Sequence, residues 1–434
     1  MNFGTESPID GGNRRDLLAA AGMALLGGLA GCLGAFEDDG DETDPTGDER
    51  ESTESAGSTA ALRERLADAD PYRMHQYGPA HAGAAPGRGP TADVDAAWTF
   101  REGADDSLYG IGPPAVVDGT VYVAEGHSVG DGAETVVYAL DGATGEIEWE
   151  WPYPGTNSFG ATVVAEGAVV VSIGTSVVAL EADSGTDRWR VDRDFSDPLT
   201  VADGTVYAID TTYADPPTLV AIDLETGRER WTAALADGRP NWPTPPAVAD
   251  GTVYQGGLEL VALSAADGER RWSRDLEHAI TGAPTVVDDG LYVPVGDGTV
   301  AAFDRDGSRR WRQSVDRAGR GSGLEPVTSP AAADGTLYVT NSWQLTALEV
   351  GTGTERWTTE VGGSDPPIVA DGVVYVSGLN TMEAYDCTDG TLLWRYRSDA
   401  TSASGDRIAP VAGGTVFYPS AGLHALRGTD ESPD

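Results

Sequence analysis

Ala139-Leu140-Asp141-Gly142-Ala143-Thr144-Gly145-Glu146-Ile147-Glu148-Trp149 decides the fold, because it is one member of a series. Close copies run from Ala179 to Trp189, Ala221 to Trp231, Ala262 to Trp272, Ala302 to Trp311 (one residue shorter), Ala347 to Trp357 and Ala384 to Trp394. Each reads as a hairpin. The Asp bonds its own backbone, the Gly takes the left-handed conformation, and the Trp ends the strand that follows.

Between these copies lies a second series, of which Asp118-Gly119-Thr120-Val121-Tyr122-Val123 is the first. It recurs at Glu166-Gly167, Asp203-Gly204, Asp250-Gly251, Asp289-Gly290, Asp334-Gly335, Asp371-Gly372 and Gly413-Gly414, eight copies in all. Short apolar runs joined by Asp-Gly signal a tight hairpin. The whole unit repeats about every forty residues and predicts four short strands. Such a sheet cannot bury both faces alone, and stacking copies around an axis buries them. A linear β-solenoid has much shorter repeats. The expected fold is therefore all-β, an eight-bladed propeller with four-stranded blades.

The ends of the repeat region fix the blade number. The last copy, His424-Ala425-Leu426-Arg427, stops without a Trp strand, while a surplus Trp stands in front, in Asp95-Ala96-Ala97-Trp98-Thr99-Phe100. The N-terminal strand is expected to supply the outer edge of the last blade and close the ring, removing an open edge. Seven blades would leave half a unit unpaired at each end.

Ala-x-Asp-x-x-Thr-Gly-x-x-x-Trp resembles the tryptophan-docking motif of the pyrroloquinoline-quinone-type propeller repeats, over roughly residues 75 to 427. The resemblance implies that Trp149, Trp189, Trp231, Trp272, Trp311, Trp357 and Trp394 wedge between neighbouring blades, with Trp98 serving the closing blade. Met74-His75-Gln76-Tyr77-Gly78 through Gly89-Pro90 resembles the lead-in segment of haloarchaeal members. The family holds quinone-dependent dehydrogenases and non-catalytic binding propellers, the lipoprotein scaffold of bacterial outer-membrane protein assembly among them. Many of the quinone-dependent alcohol dehydrogenases carry adjacent cysteines over the cofactor. Here the two cysteines, Cys32 and Cys387, are far apart, so the repeat does not carry its cofactor with it. No cofactor is expected, with pyrroloquinoline quinone (PQQ) as the alternative.

Ahead of the repeats the chain reads as an export signal. Arg14-Arg15 opens an Ala/Gly/Leu-rich run from Leu17 to Gly31, too short for an ordinary membrane span and without the polar face of a buried amphipathic helix. Charged lead, apolar run and small residues make a signal peptide over 1–31, and the paired arginines mark the twin-arginine route. Leu29-Ala30-Gly31-Cys32 resembles a lipobox, which implies lipidation of Cys32 and an extracytoplasmic protein held on the membrane by that lipid alone. Residues 32–70 read as an acidic, disordered tether, and 71–430 as the propeller. Within the tether, Ala60 to Ala69 has a short helical pattern built on Leu62 and Leu66.

The charge balance narrows the partners. Seventy acidic residues face 28 basic ones, all Arg, for a formal net charge of −42. Such a surface repels nucleic acid and does not lie flat on anionic lipid. It suits concentrated salt, where screening shortens the Debye length to about 3 Å. The pattern resembles proteins of halophilic archaea, whose envelope has no bacterial-type outer membrane.

The chemistry of enzymes is sparse. His75, His81, His127, His278 and His424 have no metal-ligand spacing. Neither a Gly-x-Ser-x-Gly elbow nor a phosphate loop occurs. Asp304-Arg305-Asp306-Gly307 hints at calcium but occupies a hairpin-turn slot and lacks a downstream acidic ligand set. Divergent loops are the better place to look. Loops after the Trp strands and between the middle strands share one face, and there Trp242, Arg317, Arg320, Trp343 and Arg407 are the candidate binding residues. The expected function is a monomeric binding or scaffold module for a protein partner or small ligand, with a quinone-dependent oxidoreductase as the alternative.

The charge reading predicts that the melting temperature rises steeply between dilute buffer and molar KCl. High thermal stability in dilute buffer would contradict it.

Overall fold

A computed structural model describes residues 59–85, 87–101, 108–129, 132–211, 217–235, 244–315, 326–398 and 407–429. Arg14, Arg15, Cys32, Trp242, Arg317 and Arg320 lie outside the described residues.

The repeats form eight sheets arranged as a ring, a β-propeller. Blade 1 comprises Ala115–Val117, Thr120–Val129, Gly132–Asp141 and Ile147–Pro154, with Leu108–Ile111 added to its second strand. Blades 2 to 7 follow in chain order with inner strands beginning at Val163, Phe195, Ala247, Thr285, Ala331 and Ile368. Blade 8 takes Val411–Ala412, Thr415–Pro419 and Leu423–Gly428 from the C-terminal end and Val94–Phe100 from the N-terminal end. In that last pairing Ala425 lies opposite Trp98, so the expected closure by the N-terminal strand is present.

The first turn is tight, and in seven of the eight blades both of its central residues have positive φ; in blade 5 the turn falls on Asp288-Asp289, one residue before the expected Asp289-Gly290, because Gly290 already pairs with Val287. In blade 1 Asp118 and Gly119 have φ of 52° and 86°, which keeps Val117 opposite Thr120. In the later turn, Asp141 Oδ1 accepts from the amides of Ala143 (2.8 Å) and Thr144 (3.0 Å), an Asx turn.

Side-chain register explains the motif. In blade 4, Tyr254, Ala262 and Trp272 lie in one row across the second, third and fourth strands. The small Ala lets the rings on either side lean together over it, with centroids 6.0 Å apart. The same Tyr-Ala-Trp row occurs in blades 1, 3, 5, 6 and 7, and Phe417-Ala425-Trp98 forms it in blade 8.

Each indole then reaches the next blade. Trp149 Nε1 donates to Ala182 O (2.9 Å), Trp189 to Leu224 O (2.8 Å), Trp231 to Ala265 O (2.9 Å) and Trp272 to Arg305 O (2.9 Å). Trp311 donates to Val350 O (3.0 Å), Trp357 to Cys387 O (3.0 Å) and Trp98, closing the circle, to Gly142 O (3.1 Å). The motif Gly lies under the ring it receives. A Cβ on Gly268 would stand 2.5 Å from Trp231, and its φ of 74° already excludes most side chains. Blade 8 has no such motif, because its last two strands are not joined in sequence. Pro90 O replaces the missing carbonyl, accepting from Trp394 Nε1 (2.8 Å) and from the Tyr375 hydroxyl (3.1 Å).

On the turn face, the Arg before several of these tryptophans clasps its own blade. Arg356 donates to Thr336 Oγ1 (2.7 Å) and Gly335 O (3.3 Å), and Arg271 reaches Gly251 O (3.0 Å) and Thr252 Oγ1 in the same way. Residues 59–67 form a helix on this face, with Leu62 and Leu66 buried. The folded body thus reaches back past the boundary expected at residue 71. The physical reason is a bare backbone surface: Leu66 packs on Gly142 and Gly413, where a Cβ would intrude, and Arg63 pairs with Asp141 at 2.7 Å.

Trp231→Ala should therefore destabilise the fold by about 3–5 kcal/mol, the cost of truncating a buried aromatic. Chemical denaturation at molar salt measures it. A loss below about 1 kcal/mol would contradict the docking role.

Candidate binding face and the filled axis

The centre of the ring is occupied by the chain itself. Residues 72–85 and 87–88 lie along the axis and meet the inner strands in blade order. Val116 N donates to Tyr72 O (2.8 Å), Val164 N to Arg73 O (2.8 Å), Val248 N to Pro79 O (2.6 Å) and Val286 N to Ala80 O (2.9 Å). Ala332 N then donates to Ala82 O (2.7 Å), Val369 N to Gly83 O (2.8 Å) and Gly414 N, in blade 8, to Arg88 O (3.1 Å). Blade 3 is met by a side chain, His81 Nε2 lying 3.2 Å from Thr200 Oγ1. These inner edges carry amide donors that burial would otherwise leave unpaired, so the segment satisfies them as it fills the space.

The fit requires an unusual backbone. Gln76, Tyr77 and His81 have φ of 49°, 78° and 53°. Gln76, fully buried, repays this by donating to Ser329 O (3.1 Å) and Pro330 O (3.0 Å), and the Tyr77 hydroxyl donates to Val411 O. His81 Nε2 lies 3.1 Å from Pro246 O, which makes that nitrogen the donor. Burial lowers the His81 pKa from 6.5 to about 4, with the Pro246 carbonyl opposing. Burial, reinforced by His81 5.0 Å away, also holds His75 well below its ordinary value. Both imidazoles are neutral at pH 7.

These residues do not fit the quinone that stands as the alternative reading. The axis is filled by the segment itself, whose buried His75, Gln76 and His81 are neutral. Among the described residues no group of three or more His, Cys, Asp or Glu is placed to hold a metal ion. Cys387 sits in the outer turn of blade 7 with its carbonyl under Trp357, and burial pushes its thiol up to about 11.

The loop-rich face is built from the loops after the Trp strands and those between the middle strands, which bond to one another. Ile280 N donates to Gly257 O (2.9 Å), Gly174 N to Ser158 O (2.7 Å) and Val361 N to Trp343 O (3.1 Å). Of the five candidate binding residues, Trp343 and Arg407 fall within the described residues. Trp343 is 55% exposed at the tip of a middle loop in blade 6. Arg407 is mostly buried, 4.0 Å from Asp365, and sits between blades rather than on the surface. The two are not brought together by any contact.

Sequence reasoning missed two buried clusters on this side. In blade 7, Glu383 is fully buried and accepts from Gly362 N (2.8 Å), the Tyr385 hydroxyl (2.6 Å) and Arg395 Nε. Both of its oxygens accept from protein donors, so it ties a loop to its blade. In blade 1, the buried Glu125 lies 3.2 Å from His127 Nε2 and 3.4 Å from Arg101 Nε, and burial raises its pKa. A charged residue inside an otherwise apolar blade strand was the available signal for both.

The family profile described as outer membrane protein assembly factor BamB matches residues 92–241, 217–333 and 296–430. The chain belongs to that family. It is also 29% identical, over 63% of its length, to the serine/threonine-protein kinase AfsK of Streptomyces coelicolor. It spans only 34% of that kinase. Among solved structures, BamB from Moraxella catarrhalis aligns with a TM-score of 0.59 at 18% identity, over 79% of this chain and 100% of that one. Quinohemoprotein alcohol dehydrogenase from Comamonas testosteroni aligns with a TM-score of 0.65 at 14% identity, over 88% and 85%. At these identities the two structures share the propeller fold with this chain.

The buried imidazole gives the family member a pH signature. As pH falls from 6.5 towards 4, the unfolded chain takes up a proton that folded His81 refuses, so stability is lost across that window, by ~3 kcal/mol. His81→Gln should flatten the curve there, compared with wild type at each pH. Parallel curves for the two proteins would contradict the assignment.

Proposed function

We propose that this protein is a lipid-anchored, extracytoplasmic propeller that holds a protein partner on its loop-rich face. The observation that carries this reading is the filled axis. Residues 72–85 and 87–88 lie at the centre of the ring and use its inner edges, which leaves the outward faces, the loop-rich one among them, to carry a partner. Membership of the BamB family supports a scaffold role, since BamB is described as an assembly factor. The partner is this protein's own, because a surface of net charge −42 suits a halophilic archaeal envelope rather than a bacterial outer membrane.

Export by the Arg14-Arg15 signal and attachment through Cys32 complete the proposal. Two lipid chains on one cysteine would hold the protein stably, where a single chain is marginal. The acidic stretch that follows would extend by self-repulsion and stand the propeller off the membrane.

Cys32→Ser should move the protein from the membrane fraction to the soluble extracytoplasmic fraction without altering its melting temperature. Retention on the membrane would contradict the anchor. Affinity capture from membranes at native salt should recover a stoichiometric protein partner. Added PQQ with calcium should give neither bound cofactor nor dye reduction, and turnover under those conditions would overturn the scaffold reading.

A further inference from the structure

We propose that Arg101, Glu125 and His127 form a proton-sensitive latch at the loop-rich end of the seam between blades 8 and 1. With Glu125 ionised, the guanidinium is held inward. When the carboxyl takes up a proton, Arg101 turns outward to Glu150. The latch belongs to the seam itself and does not depend on what the loop-rich face binds.

The seam has no covalent turn, so each of its ends needs a fastening. On the turn face Trp98 Nε1 bonds Gly142 O, and Arg63 pairs with Asp141. At the other end the outer strand of blade 8 finishes at Phe100, and Arg101, with φ of 62°, reaches across to blade 1. Its Nη2 donates to the Tyr138 hydroxyl (2.8 Å), and its Nε lies 3.4 Å from Glu125 Oε2. The guanidinium also lies over the Phe100 and Tyr138 rings, at 5.3 and 5.5 Å. A non-glycine residue at positive φ persists only while its surroundings hold it there.

Glu125 is fully buried, yet no hydrogen bond of good geometry reaches either of its carboxylate oxygens. Its charge is balanced only by the ion pairs with Arg101 and with His127 Nε2, 3.2 Å away. Glu383 in blade 7 is buried to the same degree but accepts three hydrogen bonds. Hydrogen bonds favour the charged form of a carboxyl, and without them desolvation favours the neutral form. Burial accordingly pushes the Glu125 carboxyl up, against the pull of His127 and Arg101.

The other described groups around Glu125 supply the second state. The third strand of blade 1 sets Val136 opposite Glu125, Glu134 opposite His127, and Tyr138 one pair further in. The added strand sets Ile111 opposite Glu125. The outer strand sets Glu150 opposite Tyr138, and this exposed carboxylate also attracts Arg101. Arg101 therefore stands between a buried carboxyl and an exposed one, and the proton on Glu125 decides between them. The raised carboxyl makes neutral Glu125 the form the fold prefers. Its contribution to stability is present at acid pH and is lost as pH rises through its own titration, the opposite of His81. Acidification thus frees Arg101 while the carboxyl itself favours the folded chain.

The test is NMR on the full chain in molar KCl, with the Glu carboxyl carbons and the Arg side-chain nitrogens labelled. Glu125 should titrate above the ordinary carboxyl range. The Arg101 Nε signal should move with the same midpoint, and its order parameter should fall on the acid side. The Trp98 indole signal should stay in place, showing that the ring remains closed at the turn face. Glu125→Gln should hold Arg101 in its acid position at every pH and abolish the step. His127→Gln should keep the step and move its midpoint upward, because a charge that favours the carboxylate is gone. Glu150→Gln should shrink the acid-side displacement. Glu125 titrating at or below the ordinary range, Arg101 not following it, or an Arg101 step that survives Glu125→Gln would overturn the latch. A full displacement in Glu150→Gln would overturn its outward state. Should Glu125→Gln lose the Trp98 signal through misfolding, the wild-type and His127→Gln titrations decide the question.

Discussion

Everything in this ring depends on an indole N–H that finds its acceptor in the neighbouring blade. A blade is a small twisted sheet with two apolar faces, and it is stable only when both are covered. The tryptophan covers one face and fixes its distance and register to the next through a single directional bond. That bond needs a carbonyl turned outward and a ring-sized gap above it. The motif supplies both, through an Asx turn that aims the backbone and a glycine with no Cβ beneath the ring. Alanine in the row between Tyr and Trp is the third requirement, since a larger residue would hold the rings apart.

The same constraint accounts for the N-terminal segment. A ring of repeats cut from a linear chain must be sealed where its two ends meet, and blade 8 is assembled from both. Its outer strand lacks a covalent turn, so the stretch before Val94 has to imitate one, and Pro90 presents the carbonyl that the turn would have given. To arrive there the chain first passes through the centre, pairing with inner strands on the way. Sealing and filling are therefore one act of one segment. A consequence for function is that the axis, the place where a propeller can bury a small molecule, is given over to structure.

Much of this was legible in the sequence, for physical reasons. The hairpin turns, the tryptophans and the surplus Trp98 leave periodic marks because every blade solves the same packing problem. What occurs once is harder to see. The path of His75, Gln76 and His81 through the axis has no period, and its hydrogen bonds go to backbone groups that sequence does not distinguish. Leu62 and Leu66 announced a helix, but the glycines that receive them, Gly142 and Gly413, lie far away in the chain. Arg-Trp pairs such as Arg271-Trp272 and Arg356-Trp357 were visible without their purpose. The planar fork reaches a threonine hydroxyl and a turn carbonyl from two separate nitrogens in a fixed geometry, where a lysine offers one nitrogen on a flexible stem, and this gives a structural reason for arginine at those positions. Among the candidate binding residues the sequence could not separate exposed from buried: Trp343 reaches solvent while Arg407 turns inward to Asp365.

The most direct test of the docking account is hydrogen exchange at the indole N–H groups, read residue by residue by NMR in molar salt. The account predicts slow exchange for Trp98, Trp149, Trp189, Trp231, Trp272, Trp311, Trp357 and Trp394, and fast exchange for Trp343. Exchange at Trp394 or Trp98 as fast as at Trp343 would mean that the seam between the two ends of the chain is open, and would contradict it.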